Sequence, residues 1–251
     1  MLSIDHRKGL GRINVLIEFN NLLCSRIVAT KSLYPITIFL ISLFIGLVPI
    51  AAALEKSNFN TNIIIGINAT IFLYVMFELL ILTFRFNRNT VILQEQLIIF
   101  PISRKERYQY LLILMLRDKK NIIYLISLLI ASITFAKISI MLTIKSIILF
   151  TVFFLFLQTW LLNTYLILDK LINKNKNNAP MIFPFLLMVY ILLTTNNSLS
   201  VLSYAPIIGW PGYALTQELA GQSTLLIITT SFFFLCTIMG ISVGYRFIRA
   251  R

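Results

Sequence analysis

The sequence predicts an all-α membrane protein with six transmembrane helices, and three observations support this prediction. Hydrophobic residues make up 58% of the 251 residues, charged residues make up only 12%, and the mean hydropathy is +0.87. A soluble domain of this length carries far more polar surface. The apolar residues are concentrated in six stretches, and the positive charges collect in the segments on one side of them.

Each stretch is interpreted as a helix that crosses the hydrocarbon core. That core is about 30 Å thick, and about 20 helical residues cross it. The stretches lack the alternation of a barrel strand, and backbone amides in lipid must be hydrogen bonded within their own segment. We expect the fifth, which begins near Pro180 and Pro184, to be tilted or broken, and Lys137 to reach the outer interface from the third. The predicted spans are residues 34–54, 63–84, 122–141, 146–168, 181–195 and 225–245.

Positive charge sets the predicted orientation. Nineteen of the 22 Lys and Arg residues lie in residues 1–32, 85–120, 169–179 and 246–251. The opposite connections hold only Lys56, Lys137 and Lys145. The positive-inside rule therefore places both termini in the cytoplasm. The formal charge of +13 follows from the same asymmetry, and cations spread over four segments form no single face for a nucleic acid.

Residues 1–32 are predicted to form an amphipathic helix that lies along the cytoplasmic interface and connects to the transmembrane domain, residues 33–251. Apolar residues such as Ile13, Leu16 and Ile27 fall on one helical face. Mixed charges and the lack of a small-residue cleavage site argue against a signal peptide. An ordinary amphipathic lead-in to the first span predicts the same geometry.

The sequence contains no motif that predicts catalysis or a bound cofactor. It has neither a G-x-x-x-x-G-K-[ST] loop nor a G-x-S-x-G elbow, and His6 is the single histidine. We therefore expect no catalytic residue, no metal ligand and no cofactor in this chain, which disfavours an intramembrane enzyme. Glu78 is the intramembrane polar candidate. We expect it to pair with a cation at the inner interface, such as Arg85, and a role in gating or cargo contact is the alternative.

The cytoplasmic segment 85–120 contains a predicted helix start. Ser103 and Glu106 have the spacing of a capping box, and Pro101 ends the apolar run before them. The helix begins with basic residues and turns apolar from Tyr108 onward. Two interpretations stay open: a solvated loop that follows the charge rule, or a structured helix that docks into a groove of another protein.

The outer segment 199–222 is apolar but cannot form a straight span. It is interrupted at Pro206, Gly209, Pro211 and Gly212. It also carries three amphipathic rings suited to the headgroup level, Tyr204, Trp210 and Tyr213. The pattern predicts a short hairpin of helices that dips into the outer leaflet, with a Pro-rich surface loop as the alternative.

The motif at residues 100–106, Phe-Pro-Ile-Ser-Arg-Lys-Glu, follows two predicted spans and precedes four. It resembles the L-P-I-S-R-x-E segment of ABC-2-type permeases, the membrane subunits of bacterial ABC transporters. In that family this loop holds a coupling helix that sits in a cleft of the ATP-binding subunit. The resemblance implies the same docking role here for Pro101, Ser103, Arg104, Lys105, Glu106, Arg107 and Tyr108.

The resemblance implies a permease subunit in the bacterial cytoplasmic membrane. Its partners would be an ABC ATP-binding subunit, which would bind the ATP and magnesium, a second permease copy or a paralogue, and membrane lipids, but no nucleic acid. The apolar interior favours an exporter of amphiphilic or hydrophobic cargo. The alternative is a non-transporting membrane anchor or assembly protein that recruits a cytoplasmic partner through the same residues.

Overall fold

A computed structural model describes residues 103–135, 138–174 and 209–248, together with single positions between 67 and 78. The predicted connecting helix 1–32, the predicted spans 34–54 and 181–195, and residues 85–102 lie outside the described residues. All described secondary structure is helical, which confirms the all-α prediction for this part of the chain. The helices are α1 (Arg104–Arg117), α2 (Lys119–Thr134), α3 (Ile140–Lys174), α4 (Trp210–Leu219) and α5 (Ser223–Gly244).

A short 3₁₀ turn, Tyr245–Phe247, follows α5. The described positions between 67 and 78 are also helical, and we refer to them as the Tyr74 segment.

Two of these helices are long and apolar enough to cross a membrane by length and composition. They are Ile140–Ile167 of α3 and Ser223–Phe247, which comprises α5 and the 3₁₀ turn that follows it. Helix α2 has 16 residues, which gives a length of about 24 Å, shorter than the ~30 Å hydrocarbon core. The predicted sixth span, 225–245, matches α5 closely, while the count of six extends beyond the described residues.

The predicted boundary between the third and fourth spans is wrong. Helix α2 ends at Thr134, and Met141, predicted to close the third span, already belongs to α3. The amides of Ile138 and Ser139 donate to the carbonyl of Phe135 at 2.9 and 3.0 Å and close the turn. Lys145, predicted in the connection, therefore lies within α3. Hydropathy does not mark this turn because it is apolar on both sides.

A second break separates α1 from α2 at Asp118. Its backbone is extended, with φ −61° and ψ 129°, and its side chain accepts a hydrogen bond from the Lys120 amide at 3.3 Å. The Asp118 amide donates to the carbonyl of Met115 at 3.2 Å. Asp118 thus ends one helix and caps the next, as expected for a short acidic side chain.

Helix α3 is the central helix of the described structure, because α1, α2, α4 and α5 all contact it. Its buried face carries a row of large apolar side chains: Leu149, Phe150, Phe153, Phe154, Leu157 and Leu161. The Phe153 ring packs edge-on against Phe233 of α5, with centroids 4.9 Å apart.

Helices α3 and α5 run in the same direction. Phe153 of α3 packs against Phe233 of α5. Further towards the C-terminal ends of both helices, the Asn163 side chain of α3 reaches the carbonyl of Gly240 of α5 at 3.0 Å. Helix α4 lies near the N-terminal ends of both, where the Lys145 ammonium is 2.5 Å from the Glu218 carboxylate. The two candidate spans therefore begin at the same end of the bundle.

Small residues let α5 approach its neighbours closely. A Cβ added at Gly240 would lie 2.8 Å from Cγ2 of Thr159. At Gly244 it would lie 2.3 Å from Oδ1 of Asn163 and 2.4 Å from the Tyr108 ring. The two glycines form a G-x-x-x-G motif, a spacing that favours close helix packing in membranes.

Replacing Gly244 with alanine is expected to destabilise the protein. The new methyl group overlaps both Asn163 and Tyr108, and overpacking of this kind costs about 1–3 kcal/mol. The control is Val243→Ala on the exposed side of α5, where Val243 is 41% exposed. Thermal unfolding in detergent measures both variants, and equal melting temperatures would contradict the described packing.

Candidate functional site

The predicted capping box is present at the start of α1. The Glu106 carboxylate accepts from the Ser103 amide at 2.7 Å, and the Ser103 hydroxyl accepts from the Glu106 amide at 3.2 Å. Each residue thus satisfies an amide that has no partner within the helix. The predicted helix start at Ser103 is confirmed.

The predicted docking residues divide between an exposed and a buried side of α1. Arg104 and Lys105 are exposed, as is Ser103, and Glu106 is half-buried. We call Arg104 and Lys105 the basic face of α1. Pro101 lies outside the described residues. Arg107 and Tyr108 are only 4% and 1% exposed, so they face the protein interior and not the surface.

Tyr108 connects α1 to both candidate spans. Its hydroxyl donates to Oδ1 of Asn163 on α3 at 2.9 Å, and Nδ2 of Asn163 donates to the carbonyl of Gly240 on α5 at 3.0 Å. Burial raises the pKa of Tyr108 well above its usual value, so the hydroxyl keeps the proton it donates. We call these three residues the Tyr108 link.

A small apolar cluster surrounds the Tyr108 link. Leu111 of α1 packs with Leu162 and Leu166 of α3, and Ile248 after the 3₁₀ turn joins them. All four are nearly inaccessible to solvent. The second and third turns of α1 are therefore part of the packed structure, and its first turn projects from it.

A closed hydrogen-bonded triangle joins three other segments. The Tyr74 hydroxyl donates to Oδ1 of Asn121 at 2.7 Å and accepts from Nε2 of Gln158 at 2.6 Å. Nδ2 of Asn121 donates to Oε1 of Gln158 at 3.0 Å and to the carbonyl of Met115 at 2.7 Å. These buried polar groups satisfy one another, which avoids the cost of unpaired groups in an apolar interior. We call Tyr74, Asn121 and Gln158 the polar triangle.

The ring of Tyr124 covers one side of the triangle. It stacks on Tyr74 with centroids 3.8 Å apart and an interplanar angle of 9°. The Tyr124 hydroxyl is buried and has no hydrogen-bond partner among the described residues.

Glu78 pairs with Lys120, with Oε1 and Nζ 2.5 Å apart and both side chains no more than 7% exposed. The expected pairing of Glu78 with a cation is confirmed, although the partner suggested as an example, Arg85, lies outside the described residues. The Lys120 ammonium balances the charge of the Glu78 carboxylate, which lowers the free-energy cost of burying it in an apolar core.

The outer hairpin is described from Gly209 onward, and Tyr204 and Pro206 lie outside this part. Pro211 occupies the first turn of α4, where a missing amide breaks no helical hydrogen bond. Trp210 is partly exposed and packs edge-on against Phe232, while Tyr213 is half-buried. Helix α4 and a turn at Gly221, with φ +86°, then lead into α5.

The hairpin packs tightly against the Tyr74 segment. A Cβ at Gly212 would lie 2.1 Å from Oδ1 of Asn68, so any larger residue there would require the Asn68 side chain to move. The Glu218 carboxylate, held by Lys145, also accepts from the Ser223 hydroxyl at 3.3 Å. Within the described residues a helix and a turn precede α5, as predicted, and the position of this segment in the outer leaflet stays a prediction.

Sequence reasoning did not find Asn121, Gln158, Asn163 or the glycines of α5. Single amide residues within apolar stretches are a usable signal, since such residues form hydrogen bonds between membrane helices. The G-x-x-x-G spacing of Gly240 and Gly244 is another such signal.

The described part of the chain brings no three metal-ligating side chains together. Comparison with models of protein families, with curated proteins and with solved structures finds no match. What the site can do therefore has to be derived from its geometry and charge. Its buried polar groups form an ion pair and hydrogen bonds between helices. Its exposed side chains include the two cations of the basic face, Arg104 and Lys105.

Glu78→Gln is expected to destabilise the protein because it leaves the Lys120 ammonium buried without a counter-charge. Breaking a buried pair from one side costs about 3–5 kcal/mol. The matched control is the double variant Glu78→Gln with Lys120→Gln, which removes both charges and should recover most of the loss. Chemical unfolding in detergent gives the free energies, and additive effects of the two substitutions would contradict the pairing.

Proposed function

We propose that this chain is the permease subunit of an ABC-2-type transporter, driven by a separate ATP-binding subunit that docks on the basic face of α1. The observation that carries this proposal is the construction of α1. Its first turn is capped and exposes two cations, while its next turn is packed against both candidate spans. A partner on the first turn would thereby act directly on the transmembrane helices.

The position of the basic face favours a partner over simple solvation. Arg104 and Lys105 occupy the N-terminal turn of α1. The helix macrodipole is positive there, so cations at this end lower helix stability by about 0.3–1 kcal/mol each. Helix stability therefore does not explain why Arg104 and Lys105 occur at this end. Acidic groups on a docked subunit would explain it.

The shared direction of α3 and α5 supports the six-span topology. If both cross the membrane, the chain leaves α3 on one side and enters α5 on the other. It must then cross back between Lys174 and Ser223, as the predicted span 181–195 would do. Both termini are then cytoplasmic in a bacterial cytoplasmic membrane, and the basic face of α1 lies on the same side.

In this assembly the partner subunit binds ATP and magnesium, and a second copy or a paralogue completes the pore. We propose export of amphiphilic or hydrophobic cargo. A groove of about 460 Å³ between α3 and α5 supports this choice. It is lined by Val152, Phe234, Leu235, Thr230 and Ser231, a mostly apolar lining that suits an apolar or amphiphilic molecule.

Cysteine labelling tests the topology. Single cysteines at Asn58 and Gly221 should react with a membrane-impermeant thiol reagent in intact cells, because both positions belong to predicted outer segments. A cysteine at Asn175 should react only after permeabilisation. Labelling at Asn175 in intact cells would rule out the proposed arrangement of spans.

Charge reversal tests the docking surface. Arg104→Glu with Lys105→Glu should abolish copurification of an ATP-hydrolysing subunit, since losing desolvated charge pairs at an interface costs about 2–5 kcal/mol. The substitution also places acidic groups at the helix N-terminus, where they stabilise α1. Loss of the partner would therefore not result from an unfolded helix.

The matched control is Arg117→Glu, which reverses an exposed cation at the opposite end of α1. The tagged chain is purified from its source membrane, bound proteins are identified by mass spectrometry, and ATP hydrolysis is measured. A bound protein with nucleotide-binding motifs, retained with Arg117→Glu and lost with the double reversal, is the expected result. Retention in both variants, or a partner that hydrolyses no ATP, would refute the proposal and favour the anchor or assembly function.

A further inference from the structure

We infer that Tyr108 is a positioning residue that carries movement of α1 to α5 through Asn163. This inference rests on the proposed function, because it assigns how a partner on the basic face of α1 would move the candidate spans. Tyr108 lies one helical turn after Arg104 and is buried. Its role is to transmit displacement between helices, and this role follows from its contacts.

The Tyr108 link is a hydrogen-bonded path from α1 to α5. It consists of two successive bonds, Tyr108 to Asn163 at 2.9 Å and Asn163 to the Gly240 carbonyl at 3.0 Å. Tyr108 and Asn163 are 1% and 2% exposed, so water does not compete for these bonds. The path ends on the backbone of α5, not on a flexible side chain.

The contact is also sterically tight. Gly244 lies so close to the Tyr108 ring and to Asn163 that a Cβ there would come within 2.5 Å of both. Packed interfaces of this kind transmit displacement because they have low compressibility. A shift of Tyr108 towards α5 therefore has to move α5, Asn163 or both.

The other end of α1 is held differently. The Met115 carbonyl accepts from Asn121, which bonds to Gln158 of α3. Helix α1 is thus connected to α3 near both ends, through Asn163 and through Gln158. Of these two connections, the one through Asn163 continues to α5. Removing the Tyr108 hydroxyl breaks the hydrogen-bonded step but keeps the ring contact with Gly244, so it should weaken the coupling to α5 while α1 stays attached to α3.

Hydrogen exchange of Tyr108→Phe in lipid nanodiscs tests this inference. Losing one buried hydrogen bond is expected to raise amide exchange of residues 240–247 about fivefold. In the copurified complex, the variant should keep ATP hydrolysis but show a smaller change in exchange at 240–247 on addition of ATP and vanadate than the unsubstituted chain. The control is Tyr124→Phe, a buried tyrosine on α2 whose hydroxyl has no hydrogen-bond partner among the described residues. A second variant, Asn163→Ser, breaks the same path from α3 and should reproduce the result.

The outcomes separate the two proposals. Unchanged exchange at 240–247 in Tyr108→Phe and Asn163→Ser, or an equal rise in Tyr124→Phe, would overturn the role of Tyr108. Exchange measured without nucleotide decides the role of Tyr108 even if no ATP-hydrolysing subunit copurifies with the unsubstituted chain. The absence of such a subunit would refute the proposed function but not the role of Tyr108.

Discussion

Two amide side chains on α3, Gln158 and Asn163, connect α3 to the Tyr74 segment, α1, α2 and α5. Between apolar helices in lipid, burial of apolar surface specifies little, because the lipid tails are as apolar as the neighbouring helix. Close packing and hydrogen bonds then determine which faces meet. Gln158 joins α3 to the Tyr74 segment and α2, and Asn163 joins it to α1 and α5. The other contacts among the described helices are compatible with the helix faces that Gln158 and Asn163 bring together.

This arrangement gives α1 two roles along its length. Its first turn is capped by Ser103 and Glu106 and presents cations where the helix dipole disfavours them. Its later turns are buried and bonded to α3 and, through it, to α5. A surface that can be occupied by a partner thus continues directly into a packed interior. The buried pair of Glu78 and Lys120 lies just beyond the far end of α1 and is held by its own charges.

The sequence predicted local features well, because local physics determines them. The capping box at Ser103, the extent of α5 and a cation opposite Glu78 were all accessible from residue types and spacing. The turn at 135–139 was not, since apolar residues on both sides leave hydropathy unchanged. The burial of Lys120 depends on where the Tyr74 segment packs, which is tertiary information. The same holds for the docking residues, because spacing alone did not separate exposed Arg104 from buried Tyr108.

The central claim is that the basic face of α1 lies against an ATP-binding subunit, and a photoreactive amino acid at Lys105 tests it most directly. Illumination of source membranes should give one cross-linked product that contains a protein with nucleotide-binding motifs. The same amino acid at Arg117 should not give this product. No such product at Lys105, or products with lipid alone, would contradict the account.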